Sequence, residues 1–376
     1  IDHLDRPAPA DPPFALPEPI VPGQPIDPGG PPYLHDPETD AEFKEKAVEV
    51  VRYSALLDPS DGVSVDISPA TWGNAPLGTN DRAGHEFNPW TSLPYEPVMV
   101  PRADFGRVLA EFWADGPDSE TPPGHWNTLA NAVTDHPAFE PRLGGAGELV
   151  DQLEWDVKMY LALNGAVHDA AVAAWGAKGH YDYVRPISMI RYMGGLGQSS
   201  EPDGPAYHPD GLPLEPGLVE VITDGSAAPG GRHAHLAEHI GEIAVLCWSG
   251  YPDDPEAEVA GVSWMRAEEW VPYQKPSFVT PAFAGYVSGH STFSRAAAEV
   301  LAAITGTEYF PGGLATWTIP AGALEHEAGP DQDIELQWAT YYDAADQAGI
   351  SRLYGGIHVE ADDLRGRIMG SQAGEE

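Results

Sequence analysis

Val287-Ser288-Gly289-His290-Ser291-Thr292-Phe293-Ser294 runs straight into Arg295-Ala-Ala-Ala-Glu-Val-Leu-Ala-Ala-Ile304. The second segment is built from strong helix formers. Residues 273–286, just before the first, are rich in Pro, Tyr and Phe and show no periodicity. Ser288 is therefore expected as the N-cap of a helix, with Gly289 and His290 in its first turn. A helix start carries unpaired N–H groups and a partial positive charge, which together suit an anion. Gly289 lets an anion approach the backbone, and His290 can move a proton near neutral pH. Taken alone, Ser-Gly-His is more simply a capped helix start.

Two further stretches change that reading. Lys178-Gly-His-Tyr-Asp-Tyr-Val-Arg185-Pro186 lies upstream, and Ser351-Arg352-Leu-Tyr-Gly-Gly-Ile-His358, followed by Asp362, lies downstream. In order they read K-x6-R-P, S-G-H and S-R-x5-H. This resembles the signature of the vanadium-dependent haloperoxidases, of bacterial type, and of the related acid phosphatases of the type 2 phosphatidic acid phosphatase superfamily. All three parts match without gap or substitution. The resemblance extends over roughly residues 102–372, where Phe-Trp-Ala-Asp-Gly, Thr-Pro-Pro-Gly-His-Trp and Tyr-Val-Ser-Gly-His-Ser-Thr-Phe-Ser also look like bacterial members.

The residue types fit a tetrahedral oxyanion. Arg185 and Arg352 each offer a planar fork of donors, and Lys178 a compact ammonium. The Ser288 hydroxyl and the Gly289 N–H complete the cradle. By resemblance, the cofactor is vanadate, which phosphate can replace, and His358 is the axial ligand to vanadium. His290 is the acid–base residue that takes a proton from hydrogen peroxide. Lys178 then polarises the bound oxygen, halide attacks it, and the hypohalous acid formed halogenates a small organic substrate. No haem is expected. In the phosphatase relatives the residue matching His358 attacks phosphorus instead, so an acid phosphatase is the alternative reading of the same pocket.

Trp175, three residues before Lys178, and Phe283, five before Ser288, match aromatic halide-pocket positions of chloroperoxidase-type members. They imply oxidation of bromide and also of chloride, in a dry aromatic setting. Asp115 resembles a family aspartate that pairs with the second arginine, here Arg352; it reads equally as a turn residue before Gly116. Asp362, one helical turn beyond His358, either orients that ring or is a solvated helix residue. His233, His235 and His239 form a rival cluster for zinc or nickel, with Glu242 as a further ligand, set against ordinary surface histidines.

Composition bounds the rest. The chain has 376 residues, 58 acidic against 19 basic, for a formal charge of −39, and only five of the bases are lysine. Nucleic acid is not an expected partner, since it needs a basic face. No apolar run is long enough to span a membrane. The single cysteine, Cys247, leaves the redox compartment open, with a secreted or periplasmic location favoured.

Residues 1–33 carry eleven prolines and read as an extended arm. Residues 34–376 read as one mainly α, helix-bundle domain with long irregular loops. Helices are expected over 40–57, 102–113, 126–133, 148–175, 183–193, 235–248, 288–305, 334–348 and 360–372, with almost no strands. Less helix precedes Lys178 than family members carry. An N-terminal helical part is therefore expected to be absent, cleaved away or supplied by another chain, including a second copy. The apolar face of residues 40–57 is the surface expected to need that cover, or cover from the arm.

Overall fold

The computed structural model describes residues 26–72, 84–114 and 120–375. Ten helices occur among them. They are α1 (Asp40–Ala55), α2 (Pro69–Trp72), α3 (Arg102–Phe112), α4 (Pro122–Asp135) and α5 (Gln152–Tyr181), then α6 (Pro186–Leu196), α7 (Asp224–Ala227), α8 (Gly289–Thr305), α9 (Tyr341–Tyr354) and α10 (Glu360–Glu375). The architecture is mainly α, as expected. The amphipathic pattern of α1 and α3 is realised directly: Phe43, Ala47, Val50 and Val51 are buried on α1, and Phe105, Val108 and Leu109 on α3.

Helix α8 is the axis of the bundle. It packs against α5, α9, α10 and α4. Ser288 caps it, its side chain accepting the Ser291 N–H, and Gly306 ends it in the left-handed region at φ 75°. Helix α10 meets α8 through glycines one turn apart. A Cβ on Gly366 would stand 2.9 Å from the Ser288 carbonyl oxygen, and one on Gly370 would stand 2.4 Å from that of Thr292. The two backbones therefore touch where any side chain would hold them apart. A buried ion group ties the same helices to α9: Arg367 pairs with Asp363 and Asp346, and the Ser291 hydroxyl donates to Asp363.

Three expectations are corrected. Residues 235–248 are not a helix. A short 3-10 turn, Ala234–His239, is followed by Gly241 at φ 96° and then by strand β4 (Ile243–Trp248). A continuous apolar run fits a buried strand as well as a buried helix, and here the glycine decides it. β4 is the middle of an antiparallel sheet between β3 (Val219–Val221) and β5 (Val262–Arg266). β5 lies between the helices expected over 235–248 and 288–305, in a stretch where no strand was expected. Residues 334–338 likewise form a strand, β7 (Ile334–Trp338), paired with β6 (Ala315–Ile319). Ile334, Leu336 and Trp338 are buried and Glu335 is exposed, a period of two. Helix α9 begins only after the Thr340 capping box. A third pair, β1 (Ser64–Asp66) with β2 (Met99–Pro101), leads into α3.

The apolar face of α1 is covered within the chain, by β4 and α6. Of the arm, residues 1–25 lie outside the described residues. Residues 26–33 lie along the end of α5: Tyr181 donates to Asp27, Tyr183 to the Pro32 carbonyl and Tyr286 to that of Gly29. The apolar face left open is on α5 instead, where Leu153 is 72% exposed and Leu161 75% exposed, with Val157 between them. No helix among the described residues is long and apolar enough to cross a membrane.

Two glycine substitutions separate close contact from helix propensity. Gly370→Leu forces α8 and α10 apart and should destabilise the protein by about 3 kcal/mol. Gly165, in α5, has open space where a Cβ would stand, with no heavy atom within 4 Å. Gly165→Ala should therefore stabilise by about 0.5–1 kcal/mol. Urea unfolding midpoints with unchanged m-values check both.

Candidate active site

The end of α5, the start of α6, the start of α8 and the turn between α9 and α10 converge on one cavity of about 410 Å³. Trp175, Lys178, Arg185, Phe283, Gly289, His290, Arg352 and His358 all line it. Ser288 lies fully buried beside them as the α8 cap. Of the expected site residues only Asp115 is not placed; it falls outside the described residues. Helix α5 runs past its expected end at residue 175 to Tyr181, so Trp175 and Lys178 are neighbours on one helical face.

The cations are held by carbonyl oxygens. Lys178 Nζ donates to those of Ala284 (2.9 Å) and Gly285 (2.8 Å). Arg185 donates to those of Phe283 (3.0 Å), Ala284 (3.2 Å) and Ile357 (2.7 Å). Arg352 donates to the Ala110 carbonyl and to the Ser351 hydroxyl. Neither Lys178 nor Arg185 forms a salt bridge to a carboxylate among the described residues. Burial, reinforced by Arg185, holds the Lys178 ammonium well below its ordinary range, and burial brings Arg185 down to about 10. The role of residues 283–285 and Ile357 as carbonyl acceptors carried no signal in the sequence, because backbone acceptors are independent of side-chain identity. Gly285 is a trace of them: a Cβ there would sit 2.7 Å from the Val184 carbonyl oxygen.

The two histidines have definable tautomers. His358 Nε2 lies 3.1 Å from Arg185 Nη1, which can only donate, so Nε2 carries the lone pair. Its Nδ1–H then donates to Asp362 Oδ2 at 2.8 Å. His290 is the reverse: Nε2 is 2.6 Å from the Trp113 carbonyl oxygen and must carry the proton, leaving the lone pair on Nδ1. Burial lowers both imidazoles well below 6.5, aided by Arg352 at His290 and by Arg185 at His358. Asp362 is fully buried, not solvated. It accepts from His358 and from the Val359 N–H, and its own carbonyl oxygen accepts the Ser288 N–H at 2.9 Å. Burial pushes its carboxyl up to about 7, against the pull of Lys178 and Arg185.

Trp175 and Phe283 stand beside Lys178, with ring centroids 5.3 Å apart and the ammonium 5.7 and 5.3 Å from them. The expected dry wall is half open, because each ring is 45% exposed. Gly289 makes room for this wall: a Cβ there would be 3.2 Å from the Trp175 ring and 3.4 Å from Phe293. The rival histidine cluster is dispersed. His233 faces the Ser226 hydroxyl, His235 the Trp264 carbonyl and His239 Glu242. No group of three or more metal-ligating side chains gathers among the described residues.

Residues 158–210 and 233–376, just over half of the chain, match the family described as VCPO second helical-bundle domain. The chain belongs to this family, that of the vanadium-dependent haloperoxidases. Among solved structures it is similar to an apo-type bacterial vanadium-dependent chloroperoxidase, at 17% identity and a TM-score of 0.55, over 93% of this chain and 51% of that one. It is also similar to a holo-type bacterial vanadium-dependent chloroperoxidase, at 18% identity and a TM-score of 0.51, over 90% and 48%. The chain thus spans about half the length of these proteins. No curated protein matches it at a significant level of sequence similarity.

The tautomers can be read directly. At about pH 6, below the ordinary imidazole value, His290 and His358 should both remain neutral. Long-range proton–nitrogen correlation spectra should show His358 protonated at Nδ1 and His290 at Nε2. An imidazolium pattern for either ring at that pH contradicts the assignment.

Proposed function

We propose that this cavity holds vanadate and that the chain oxidises halide with hydrogen peroxide. The observation that carries the reading is a pair of buried cations, Lys178 and Arg185, held by carbonyl oxygens and converging with an unprotonated His358 Nε2 on the start of α8. A buried cation is costly unless an anion neutralises it. The donor set therefore fits an oxyanion: Lys178, Arg185 and Arg352 as charges, the Ser288 hydroxyl and Gly289 N–H as helix-start donors, and His358 Nε2 as the single metal-ligating atom. Bound vanadate would supply Lewis acidity toward a peroxide oxygen.

The residues divide the remaining work. His290, neutral and with its lone pair on Nδ1, is set to take a proton from hydrogen peroxide. The Trp113 carbonyl keeps that tautomer in place. Asp362 does the same for His358, leaving Nε2 directed into the cavity. Lys178 supplies positive charge where oxygen becomes electrophilic, and an anion nearby would restore its proton affinity. Trp175 and Phe283 shape the halide approach. Because this wall is half open, bromide is the halide it supports best. Chloride, harder to oxidise, is expected to turn over more slowly. Hypohalous acid is the product and a small organic molecule its acceptor. The same Nε2 could attack phosphorus, and so acid phosphatase activity is the competing outcome.

Elemental analysis after vanadate loading, with parallel bromide–peroxide and phosphate-ester assays, tests the reading. Wild type should retain vanadium and oxidise bromide. His358→Ala should lose the metal, whereas His290→Ala should keep it and turn over about a hundredfold more slowly or worse. Phe283→His should depress chloride turnover more than bromide turnover. Ester hydrolysis without bromide oxidation would select the phosphatase reading, and equal metal loss in both histidine variants would refute the separate roles.

A further inference from the structure

Helix α5 has 30 residues, a length of about 45 Å, and one side of it faces solvent along most of that length. Leu153, Val157, Leu161 and Val172 are all exposed there, the least of them by 46%. At about 100° per residue, Val157, Leu161, His168, Val172 and Trp175 fall within about 80° of arc. Leu153 lies just beyond one edge of that arc, and Lys158 and Asp169 just beyond the other. No Asp, Glu, Lys or Arg stands between Lys158 and Asp169. A row of this kind is what a helix buries against another helix. It ends at Trp175, whose ring stands with that of Phe283 as the half-open wall of the oxyanion cavity.

The face is complementary to its own copy. Under a two-fold axis beside Asn164, α5 of a second copy runs antiparallel, and each edge of the face meets the same edge of the other. Leu153 then lies opposite Trp175 of the second copy, Val157 opposite Val172, and Leu161 opposite His168. On the other edge Lys158 lies opposite Asp169. Symmetry makes each of these contacts twice. Lys158 pairs within its own helix with Glu154, and His168 with Asp169, yet the four side chains remain 40–73% exposed and can turn to a second chain. Charge selects the same occupant. The chain carries a formal charge of −39, so two copies repel wherever their acidic surfaces meet. They can touch only where acid is sparse, as it is along this side of α5. A basic partner would settle on the acidic surface instead.

We propose that a second copy of this chain packs its α5 antiparallel against this face and, through Leu153, completes the aromatic wall of each oxyanion cavity. The effect of the wall on halide rests on the haloperoxidase reading; the contact itself does not. In the single chain Trp175 and Phe283 are both open to water. A leucine seated on the Trp175 ring removes water from that side of Lys178. Exclusion of water there strengthens the pull of the ammonium on the oxygen that halide attacks. Chloride, the harder halide to oxidise, gains most. Leu153 touches no reacting atom and acts only by covering the ring, so the two cavities of the dimer each depend on the other chain.

The test separates association from oxidation. Analytical ultracentrifugation of the chain at micromolar concentration should show a dimer. Leu161→Arg should weaken it by about tenfold or more. Lys158→Asp and Asp169→Lys should each weaken it by about fivefold, and the two together should restore it to within about twofold. Asn164→Cys, on the axis, should cross-link under mild oxidation, whereas Gln152→Cys, far from its own copy, should not; the native Cys247 is buried. Circular dichroism checks that each variant is folded. With vanadate, peroxide and halide, Leu161→Arg should lower the ratio of chloride to bromide turnover by about threefold or more. A monomer, a dimer that tolerates Leu161→Arg, equal cross-linking at Gln152 and Asn164, or a charge swap that fails to restore association overturns the contact. Absent chloride turnover in the wild-type dimer, or an unchanged halide ratio in Leu161→Arg, overturns the completed wall. A dimer that meets the association tests in a chain that neither retains vanadate nor oxidises bromide overturns the haloperoxidase reading and leaves the contact standing.

Discussion

The contact on which everything else depends is the one between the backbones of α8 and α10. Gly366 and Gly370 let the second helix lie on the first with no side chain between them. Only at that distance does the Asp362 carbonyl oxygen reach the N–H of Ser288. That bond fixes the segment carrying His358 to the residue that caps α8. The imidazole then meets Arg185, which arrives from the far side of the bundle on the lead-in to α6. Helix packing at side-chain distance would leave the same residues in the chain but not in one cavity.

The fold treats its buried arginines in two ways. Arg107 is paired with Asp104 and Glu327, and Arg367 with Asp363 and Asp346, so each is neutralised where it stands. Those groups brace α3 against the loop after β6, and α10 against α9. Among the described residues, Lys178 and Arg185 donate to carbonyl oxygens and to no carboxylate. Dipoles solvate a cation without cancelling its charge, so positive potential is stored in the cavity and dissipated in the braces. Burial alone would not separate a structural arginine from a site arginine; the identity of its acceptors does.

Helix content and the residues that line the candidate site were legible in the sequence for one reason: those residues sit at the ends of periodic segments. Ser288 ahead of an Ala-rich helix, Lys178 at the close of α5 and Pro186 in the first turn of α6 are local signals. The strands were not legible. Ile243–Trp248 is apolar on both faces and so carries no period, and the alternation in Ile334–Trp338 was absorbed into the helix that follows it. The partners of Lys178 and Arg185 were hidden because carbonyl oxygens leave no mark in side-chain sequence. Asp362 could not be resolved from spacing alone, since position i+4 serves a solvated carboxylate as well as a buried one.

Set within a chain of formal charge −39, the pocket is a small positive well inside a large negative envelope. An anion coming from solution is first repelled by the envelope and only then attracted by the well. The two fields respond differently to salt. At about 0.1 M ionic strength the envelope is screened over roughly 10 Å, whereas buried charges are screened far less. Dissolved salt therefore lowers the barrier to arrival more than it loosens the hold on what has arrived. On the function proposed above, the ionic strength of the surroundings would act as a throttle on anion traffic, and brine would open it.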